Sequence, residues 1–465
     1  MLVVLCLAAT AQLTHGAGSA PLNLNVSLIS YLSGGSSSSI NTALSTAVDS
    51  QGRVYVAGSG PFNFGAHAQG SGDGYVLRLK NTESSVDGVW RFSSEVTGIR
   101  VRDVAGTPRI LIQGDFGITV LDQNFKQVWN VAHGCSGTKC KSDIATDGTV
   151  SMLLTSGHLF HYDASGKLLG DKQLGKNHYT DTAIDPYRKM VIYSYFFQSY
   201  PHHIPVQVPC LLAMDYLLSK VIWTDYCVGG IEDYDTQNMA DSRIQHIYYN
   251  DNDKKLYFAG YTDGGNSIFR YDTEDIQNNH GSLHGLTIMP SHQRPTYDKY
   301  VNTYNMHGAT SISVGGRIDT DRGQVEEVQF YIARLSSGAG NSVKSIEIAA
   351  GVNSVMFMAQ SSVASIDNRN DLKINNMTVG GYGGSDAVLL AVPSNFSERL
   401  AWHTFAKTSG HANAVTVSVN GYNGKNRVAF IASSQEVDFF EVKPISGTKR
   451  ASAKDTQYVL VILDM

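Results

Sequence analysis

The sequence has few charged residues and few long apolar runs. Charged side chains make up 17% of the 465 residues, against about 25% in a typical soluble domain. The net charge of −5 offers no basic surface for nucleic acid or for an anionic membrane. No segment reaches the roughly 20 apolar residues that a membrane-spanning helix needs. We therefore expect no membrane span, and neither nucleic acid nor a membrane surface as a partner.

The longest uncharged apolar run lies at the start of the chain. It covers Leu2–Thr10, and the small residues Thr14 and Gly16 follow it. This pattern is typical of a signal peptide cleaved before Ala17, with a buried first strand or helix as the alternative. We predict a signal peptide at 1–16 and one secreted domain at 17–465, which would place the protein outside the cell, at the cell surface or in the extracellular matrix.

Cysteine is scarce, with five residues in the whole chain. Loss of Cys6 with the signal peptide leaves an even number, which in a secreted protein indicates disulfides. Three pairings of the remaining four are possible, and the local one closes the smallest loops. A zinc site is the competing interpretation, but the spacings lack a C-x2-C knuckle. The local pairing joins Cys135 to Cys140 and Cys210 to Cys227.

Three sequons have the N-x-S/T pattern of N-glycosylation acceptors. They are Asn25-Val-Ser, Asn376-Met-Thr and Asn395-Phe-Ser. Such tripeptides also occur by chance, so they favour a secretory setting without establishing it. We predict glycans at these asparagines in a eukaryotic secretory pathway.

Residue types that are typical of β-strands and turns are abundant in the sequence. The chain has 45 Gly, 24 Tyr and 17 Phe, whereas runs of helix-forming residues are nearly absent. Asp49 and Gly52 predict a tight turn, because Asp accepts backbone hydrogen bonds and Gly adopts positive φ. Short alternating segments flank this turn, and the same order of strand and turn recurs along the chain. These features predict an all-β fold built from repeated units.

Counting the units predicts a single propeller of eight blades, with seven as the alternative. The last unit lacks one strand, which Leu24–Ser33 supplies by pairing with Tyr458–Leu463. Such pairing would remove the unpaired edges that an open ring leaves. The fifth to seventh units are predicted from these strands: Ile244–Tyr249, Lys255–Gly260 and Ser267–Asp272; Ser311–Arg317, Phe330–Leu335 and Ser342–Ile348; Val355–Ala359, Met377–Gly381, Ala387–Val392 and Leu400–Trp402.

Several of these segments resemble the SBBP-type β-propeller repeat. The similar stretches are Tyr31–Gly35, Thr46–Gly58, Gly72–Leu79 and Val379–Ala391, so that the resemblance is clearest over 24–92 and 379–402. The second and third units are closer to the short repeats of quinoprotein-like propellers. The resemblance implies a propeller fold and an extracellular or cell-surface setting. It implies no activity, because propellers carry many functions.

Searches for catalytic chemistry find no fitting pattern. A quinone-binding dehydrogenase would need adjacent cysteines, which are missing, and the four tryptophans all fall in fourth strands, where we expect packing. His158 and His161 would point to opposite faces of a strand. The acidic segments Asn250–Asp253 and Asp319–Asp321 fit turns better than calcium loops. We predict no catalytic residue, cofactor or metal site.

Two long loops remain as candidate recognition surfaces, since loops beyond about 12–15 residues are usually functional or disordered. They are Phe196–Pro209, with His202 and His203, and Glu274–Met306, with His280, His284, Tyr297 and Tyr300. We predict a secreted, non-enzymatic propeller that acts as a scaffold or binding module for extracellular protein or glycan partners. The alternative is a metal- or quinone-dependent oxidoreductase with its site in the propeller channel or under these loops.

Overall fold

Alternating apolar residues and Asp/Gly turns fold the chain into antiparallel sheets. The structure, a computed structural model, describes residues 21–34, 41–64, 66, 68–81, 84–132, 135, 140–200, 205–227, 240–264, 267–270, 311–335, 340–366, 369–381, 383–396, 398–407, 410–435, 437–450 and 455–465. Among these residues there is no α-helix, and none of the described helical segments is long and apolar enough to cross a membrane. The predicted all-β class is confirmed.

The first four sheets each contain four antiparallel strands, which follow one another across the sheet in the order of the sequence. Sheet 1 adds a short parallel strand, Ala68–Gly70, at its outer edge. From the innermost to the outermost strand, sheet 1 is Ser45–Val48, Val54–Ser59, Gly74–Leu79 and Val86–Phe92; sheet 2 is Val96–Val104, Thr107–Gly114, Gly117–Leu121 and Gln127–Val131; sheet 3 is Cys140–Ile144, Val150–Leu154, His158–Tyr162 and Leu168–Gln173; sheet 4 is His178–Asp185, Met190–Ser199, Val206–Asp215 and Val221–Tyr226.

Three further four-stranded units follow, and the seventh takes its outermost strand from the start of the chain. Short strands outside these units form the pairs Ala333–Arg334 with Gly340–Asn341 and Lys373–Ile374 with Met377–Thr378, while Gly384–Ser385 lies beside sheet 7. Sheet 5 is Ser242–Asn250, Lys255–Thr262, Ile312–Asp319 and Gln324–Tyr331; sheet 6 is Val343–Ala350, Met356–Ser362, Ala387–Val392 and Ala401–Thr404; sheet 7 is Gly410–Tyr422, Lys425–Ser434, Gln457–Asp464 and Leu28–Tyr31.

The first strands of successive sheets are neighbours around a ring. Each contacts the first strand of the following sheet, and that of sheet 7 contacts that of sheet 1. This cyclic arrangement is the architecture of a β-propeller. The hydrophobic core lies between adjacent sheets: Tyr55 and Val76 of sheet 1, for example, pack with Ile99, Ile110 and Ile112 of sheet 2.

The N-terminal strand pairs with the last strand of the chain. Leu28 lies opposite Ile462 and Tyr31 opposite Val459 in antiparallel register. The other edge of this strand is also covered, since Ile29 exchanges both backbone hydrogen bonds with Val442 at 2.9 and 3.0 Å. The predicted segment Leu24–Ser33 therefore contains this pairing, although its first residues belong elsewhere: Asn23–Leu24 lies parallel to Lys373–Ile374.

The outer tryptophans pack against the turns of neighbouring sheets. Trp90 stacks on Phe125 with ring centroids 3.5 Å apart. Trp129 donates its indole N–H to the carbonyl of Ala164 over 3.1 Å, and Trp223 donates to the carbonyl of Thr320 over 2.9 Å. With Trp402, all four lie in fourth strands, as predicted.

The predicted grouping of strands in the fifth to seventh units is wrong. Ser311–Arg317 belongs with Lys255–Gly260, because Ile312–Asp319 pairs residue for residue with Lys255–Thr262. The expected strand Ser267–Asp272 instead contains a short 3-10 turn at Ile268–Arg270. Consecutive burial explains this, since Ile268 and Phe269 both enter the core between sheets 4 and 5, whereas a strand would point them to opposite faces.

The same shift moves the following strands by one unit. Val343–Ala350, expected at the end of one unit, is the first strand of sheet 6. Met377–Thr378 pairs only with Lys373–Ile374 in the small hairpin and is not a member of sheet 6. The described residues thus form seven sheets with four antiparallel strands each, of which sheets 1 and 7 add a short parallel strand, and two small sheets of short strands.

Candidate functional site

Charged side chains cross the axial channel inside the ring of first strands. Nη2 of Arg100 in sheet 2 lies 2.8 Å from Oε1 of Glu347 in sheet 6. Nη1 of Arg102, two residues along the same strand, donates to the hydroxyl of Tyr248 in sheet 5 over 2.7 Å. Burial opposes the charged guanidinium, yet the Glu347 carboxylate raises the pKa of Arg100. These contacts therefore tie sheets on different sides of the ring to one another.

Two buried carboxylates on the channel wall link sheet 3 to sheet 4 and sheet 4 to sheet 5. Oδ2 of Asp143 in sheet 3 accepts the backbone N–H of Ile184 in sheet 4 over 3.1 Å. Oδ2 of Asp181 in sheet 4 accepts the N–H of Ile247 in sheet 5 over 3.0 Å and lies 3.1 Å from Nδ1 of His246. The two acids consequently play the same structural part in successive sheets.

The two carboxylates nevertheless titrate in opposite directions. Burial raises the pKa of Asp143 to about 6, against the opposing charges of Arg102 and Arg100. Burial also acts to raise the pKa of Asp181, but the charge and hydrogen bond of His246, together with the charges of Lys141 and Arg100, outweigh burial and the pKa is lowered. Ionised Asp143 is therefore a cost to the fold at neutral pH, whereas ionised Asp181 is a gain.

Replacing Asp143 by Asn should stabilise the protein at pH 8. The pKa of Asp143 is raised from 3.8 to about 6 in the folded protein. The protonated carboxyl therefore stabilises the fold below pH 3.8, and this stabilisation is lost as the pH rises through about 6. Each unit corresponds to about 1.4 kcal/mol, so Asp143→Asn should gain up to about 3 kcal/mol at pH 8 and little at pH 4. Urea unfolding at both pH values measures this difference.

Asp181→Asn is the matched control, because the lowered pKa of Asp181 predicts the opposite sign. The ionised carboxylate of Asp181 stabilises the fold at pH values above the ordinary pKa of Asp. This stabilisation is lost as the pH falls through the lower pKa that Asp181 has in the folded protein. The variant should therefore be less stable than the parent protein at pH 8. Equal destabilisation by both substitutions at pH 8 would contradict the assignment of Asp143 as a costly charge.

The channel leaves little free space between these side chains. The cavity beside Arg102 and Tyr248 has a volume of about 30 Å³, and that beside Lys141 and His246 about 160 Å³. Sites for drug-sized ligands have volumes of roughly 300–1,000 Å³. Sequence reasoning missed this network. One feature of the sequence could have indicated it: Arg100 and Arg102 lie at alternate positions of a first strand, so both side chains point to the same face.

A larger cavity opens where the first two strands of sheet 4 meet its rim. Its volume is about 520 Å³. His178 begins the first strand and lies opposite Phe196 in the second. We call this cavity the rim groove; its lining residues are Lys176, Asn177, His178, Tyr195, Phe197, Gln198 and Cys227.

Aromatic rings form one wall of the rim groove. Tyr195 and Phe197 lie two residues apart on one strand, so their side chains leave the same face, with ring centroids 6.3 Å apart. Tyr179 supports them from behind at 5.5 Å from Tyr195. Phe196, on the opposite face, stacks on His178 at 4.7 Å and lies 5.0 Å from the Arg243 guanidinium. These contacts hold the strand end in one orientation.

A cysteine pair borders the same groove. Cys227 lines it and is at disulfide distance from Cys210, with a Cα–Cα separation of 4.3 Å. Cys210 lies directly opposite Tyr195 in the sheet, so the cross-link joins the strand beside the aromatic one to Cys227, directly after the outermost strand. Cys135 and Cys140 form the second pair, with a Cα–Cα separation of 5.2 Å. Both pairs are those of the local pairing.

The prediction of a long loop at Phe196–Pro209 is wrong over most of that segment. Its two halves continue the hairpin of sheet 4, from Phe196 opposite Pro209 to Ser199 opposite Val206. Pro209 is tolerated because its carbonyl accepts from Cys227. The backbone nitrogen of Pro209 points in the same direction as its carbonyl. The outermost strand ends at Tyr226, so the sheet needs no ladder hydrogen bond from this nitrogen.

The remaining predicted site residues are the three sequon asparagines and six residues of the two predicted long loops. Asn25, Asn376 and Asn395 are all exposed. His202 and His203, and likewise His280, His284, Tyr297 and Tyr300, lie outside the described residues. Within the described ranges, no group of three or more His, Cys, Asp or Glu side chains could hold a metal ion. The acidic segments at 250–253 and 319–321 make turn hydrogen bonds, as expected.

Comparisons with known proteins add no function. No protein-family model and no curated protein sequence matches the chain. A structure of a mitotic checkpoint complex is 9% identical over 96% of this chain and 97% of that chain, with a TM-score of 0.44. A structure of U3-55K is 8% identical over 93% of this chain and 98% of that chain, with a TM-score of 0.49. Neither similarity is close enough to indicate what the chain binds.

Proposed function

We propose that the protein is a secreted, non-enzymatic propeller that binds extracellular protein or glycan partners. The rim groove carries this proposal, because it falls within the volume range of ligand sites and combines aromatic rings with polar side chains. Two cysteine pairs at disulfide distance and three exposed sequons support an oxidising, extracellular setting. The alternative, a metal- or quinone-dependent oxidoreductase with its site in the propeller channel or under the long loops, stays a prediction, since His202, His203 and Glu274–Met306 lie outside the described residues.

We propose further that the propeller has seven blades and is closed by its N-terminal strand. The seven sheets with four antiparallel strands each and the cyclic contacts of their first strands support this count. The pairing of Leu28–Tyr31 with Gln457–Asp464 supports the closure. The resemblance of the first blade to the SBBP-type repeat also remains part of the proposal, on the residues of that blade alone.

Binding can be tested with the secreted, full-length protein. Immobilised on a surface, it should show saturable binding to at least one component of a glycan array or of a panel of extracellular matrix proteins. Loss of that signal in Phe197→Ala, with an unchanged melting temperature, would link binding to the rim groove. Absence of saturable binding to every component at high protein concentration would overturn the proposed function.

Each sequon should carry a glycan when the chain is made in a eukaryotic secretory pathway. Asn25→Gln, Asn376→Gln and Asn395→Gln should each remove one glycosidase-sensitive increment of mass, because all three side chains are exposed. Intact mass spectrometry of the secreted protein measures this. Asn130→Gln is the matched control, since Asn130 is exposed but lies in no sequon. A secreted protein of unmodified mass would contradict the prediction.

A further inference from the structure

We propose that the rim groove binds an acidic oligosaccharide, one whose sugar rings carry carboxylates. This inference rests on the proposed binding function and names the ligand class of that site. It is carried by four features of the groove: its aromatic wall, its amide side chains, the exposed Lys176 among its described lining residues and its rigid frame.

The aromatic wall suits the flat face of a sugar ring. Tyr195 and Phe197 present half-buried rings with centroids 6.3 Å apart. The face of an aromatic ring is electron-rich and attracts the weakly positive C–H groups that cover one side of a pyranose. Two adjacent rings therefore offer a platform for two successive sugar units. The volume of about 520 Å³ gives the site room for a short oligomer.

Uncharged polar groups line the rest of the groove. Asn177 and Gln198 also line the groove, and each carries an amide that can donate and accept at once. Sugar hydroxyls also donate and accept, so an amide can match both functions of one hydroxyl. Hydroxyl-rich ligands are favoured for this reason.

The charge of the lining selects an acidic sugar. Lys176 is exposed at the groove, and none of the lining residues that the structure describes is Asp or Glu. A carboxylate bound there would gain a charge-assisted hydrogen bond without facing an acidic side chain of the lining. A neutral sugar would gain no such contact.

The frame of the groove is already ordered before a ligand arrives. The cysteine pair Cys210 and Cys227 lies beside the groove, and the ring of Phe196 stacks on the ring of His178. A site that is rigid in its binding conformation loses less entropy on association. Reduction of the cysteine pair should consequently weaken binding.

The test uses the secreted, full-length protein and two matched probes, tetragalacturonate and its methyl ester. Isothermal titration calorimetry should show tighter binding of the free acid, with an affinity that falls as salt is raised. Lys176→Gln should weaken binding of the acid about tenfold, as expected for loss of one charged hydrogen bond, and should leave the ester unchanged. Phe197→Ala should weaken both probes.

Lys220→Gln is the control, because Lys220 is equally exposed on sheet 4 but lies in the turn at its opposite end. Equal affinity for acid and ester, or no effect of Lys176→Gln, would overturn the acidic-sugar assignment. Binding of neither probe, while an array or matrix component still binds in a Phe197-dependent manner, would overturn this inference and leave the proposed function standing. Loss of all such binding would overturn both.

Discussion

A protein that lacks residues 17–33 should not fold cooperatively. The deletion removes the outermost strand of sheet 7, in which Leu28, Ile29, Tyr31 and the following Leu32 are all buried. Burial of four such side chains contributes roughly 6–12 kcal/mol, which is comparable to the whole stability of a typical domain. The strand Gln457–Asp464 would also lose its pairing partner and become an exposed edge. Urea unfolding followed by circular dichroism measures the loss.

A shorter deletion, of residues 17–21 only, is the control. It ends before the first strand and leaves Leu28–Tyr31 in place, so its unfolding transition should match that of the full mature chain. A 17–33 deletion that unfolds at the same urea concentration as this control would refute the closure of the ring by the N-terminal strand. Ile29→Ala adds a graded test, with an expected loss of about 2–5 kcal/mol.

Replacing Asp386 by Ala should cost about 3–5 kcal/mol of unfolding free energy, because the buried guanidinium of Arg369 loses a carboxylate that offsets the cost of burying its charge. Nη1 of Arg369 lies 3.3 Å from Oδ1 of Asp386, and both side chains are at most 2% exposed. Asp386 also accepts the backbone N–H of Ile366 over 3.0 Å. The substitution therefore removes a charge partner and a buried hydrogen bond together. Urea unfolding at pH 7 measures the effect.

Asp438→Ala provides the comparison, since Asp438 pairs with Arg450 where both side chains are more than a third exposed. Exposed pairs contribute about 0–1 kcal/mol, so this variant should be nearly as stable as the parent. The double variant Arg369→Met with Asp386→Leu should recover much of the loss, because apolar side chains can replace a buried pair. Equal effects of Asp386→Ala and Asp438→Ala would contradict the view that burial makes the first pair critical.

Local pattern predicted much of the strand content. The turn at Asp49 and Gly52 forms as expected, with Oδ1 of Asp49 accepting the N–H groups of Gln51 and Arg53 over 3.0 and 2.9 Å. Gly52 has a φ of +73°, which a residue with a side chain adopts only with strain. Turns of this kind depend on four or five neighbouring residues, so the sequence is sufficient to place them.

Interactions between distant segments were predicted less well. Lys255–Thr262 pairs with Ile312–Asp319 across a long insertion, and no local pattern indicates which later strand a given strand will meet. The extension of the sheet 4 hairpin over Phe196–Pro209 was missed for a related reason, because prolines and histidines in the sequence suggested a loop. Only the ladder of paired residues shows that the strands continue.

The sequence by itself determined the class of fold, the positions of most turns, the four tryptophans of the outer strands and the pairing partner of the N-terminal strand. These follow from alternation, from the backbone demands of Asp and Gly, and from the missing strand in the last unit. The tertiary structure alone decided the number of sheets, the charges that span the channel and the rim groove. Each of these depends on side chains brought together from strands far apart in sequence, where position along the chain carries no information about distance in space.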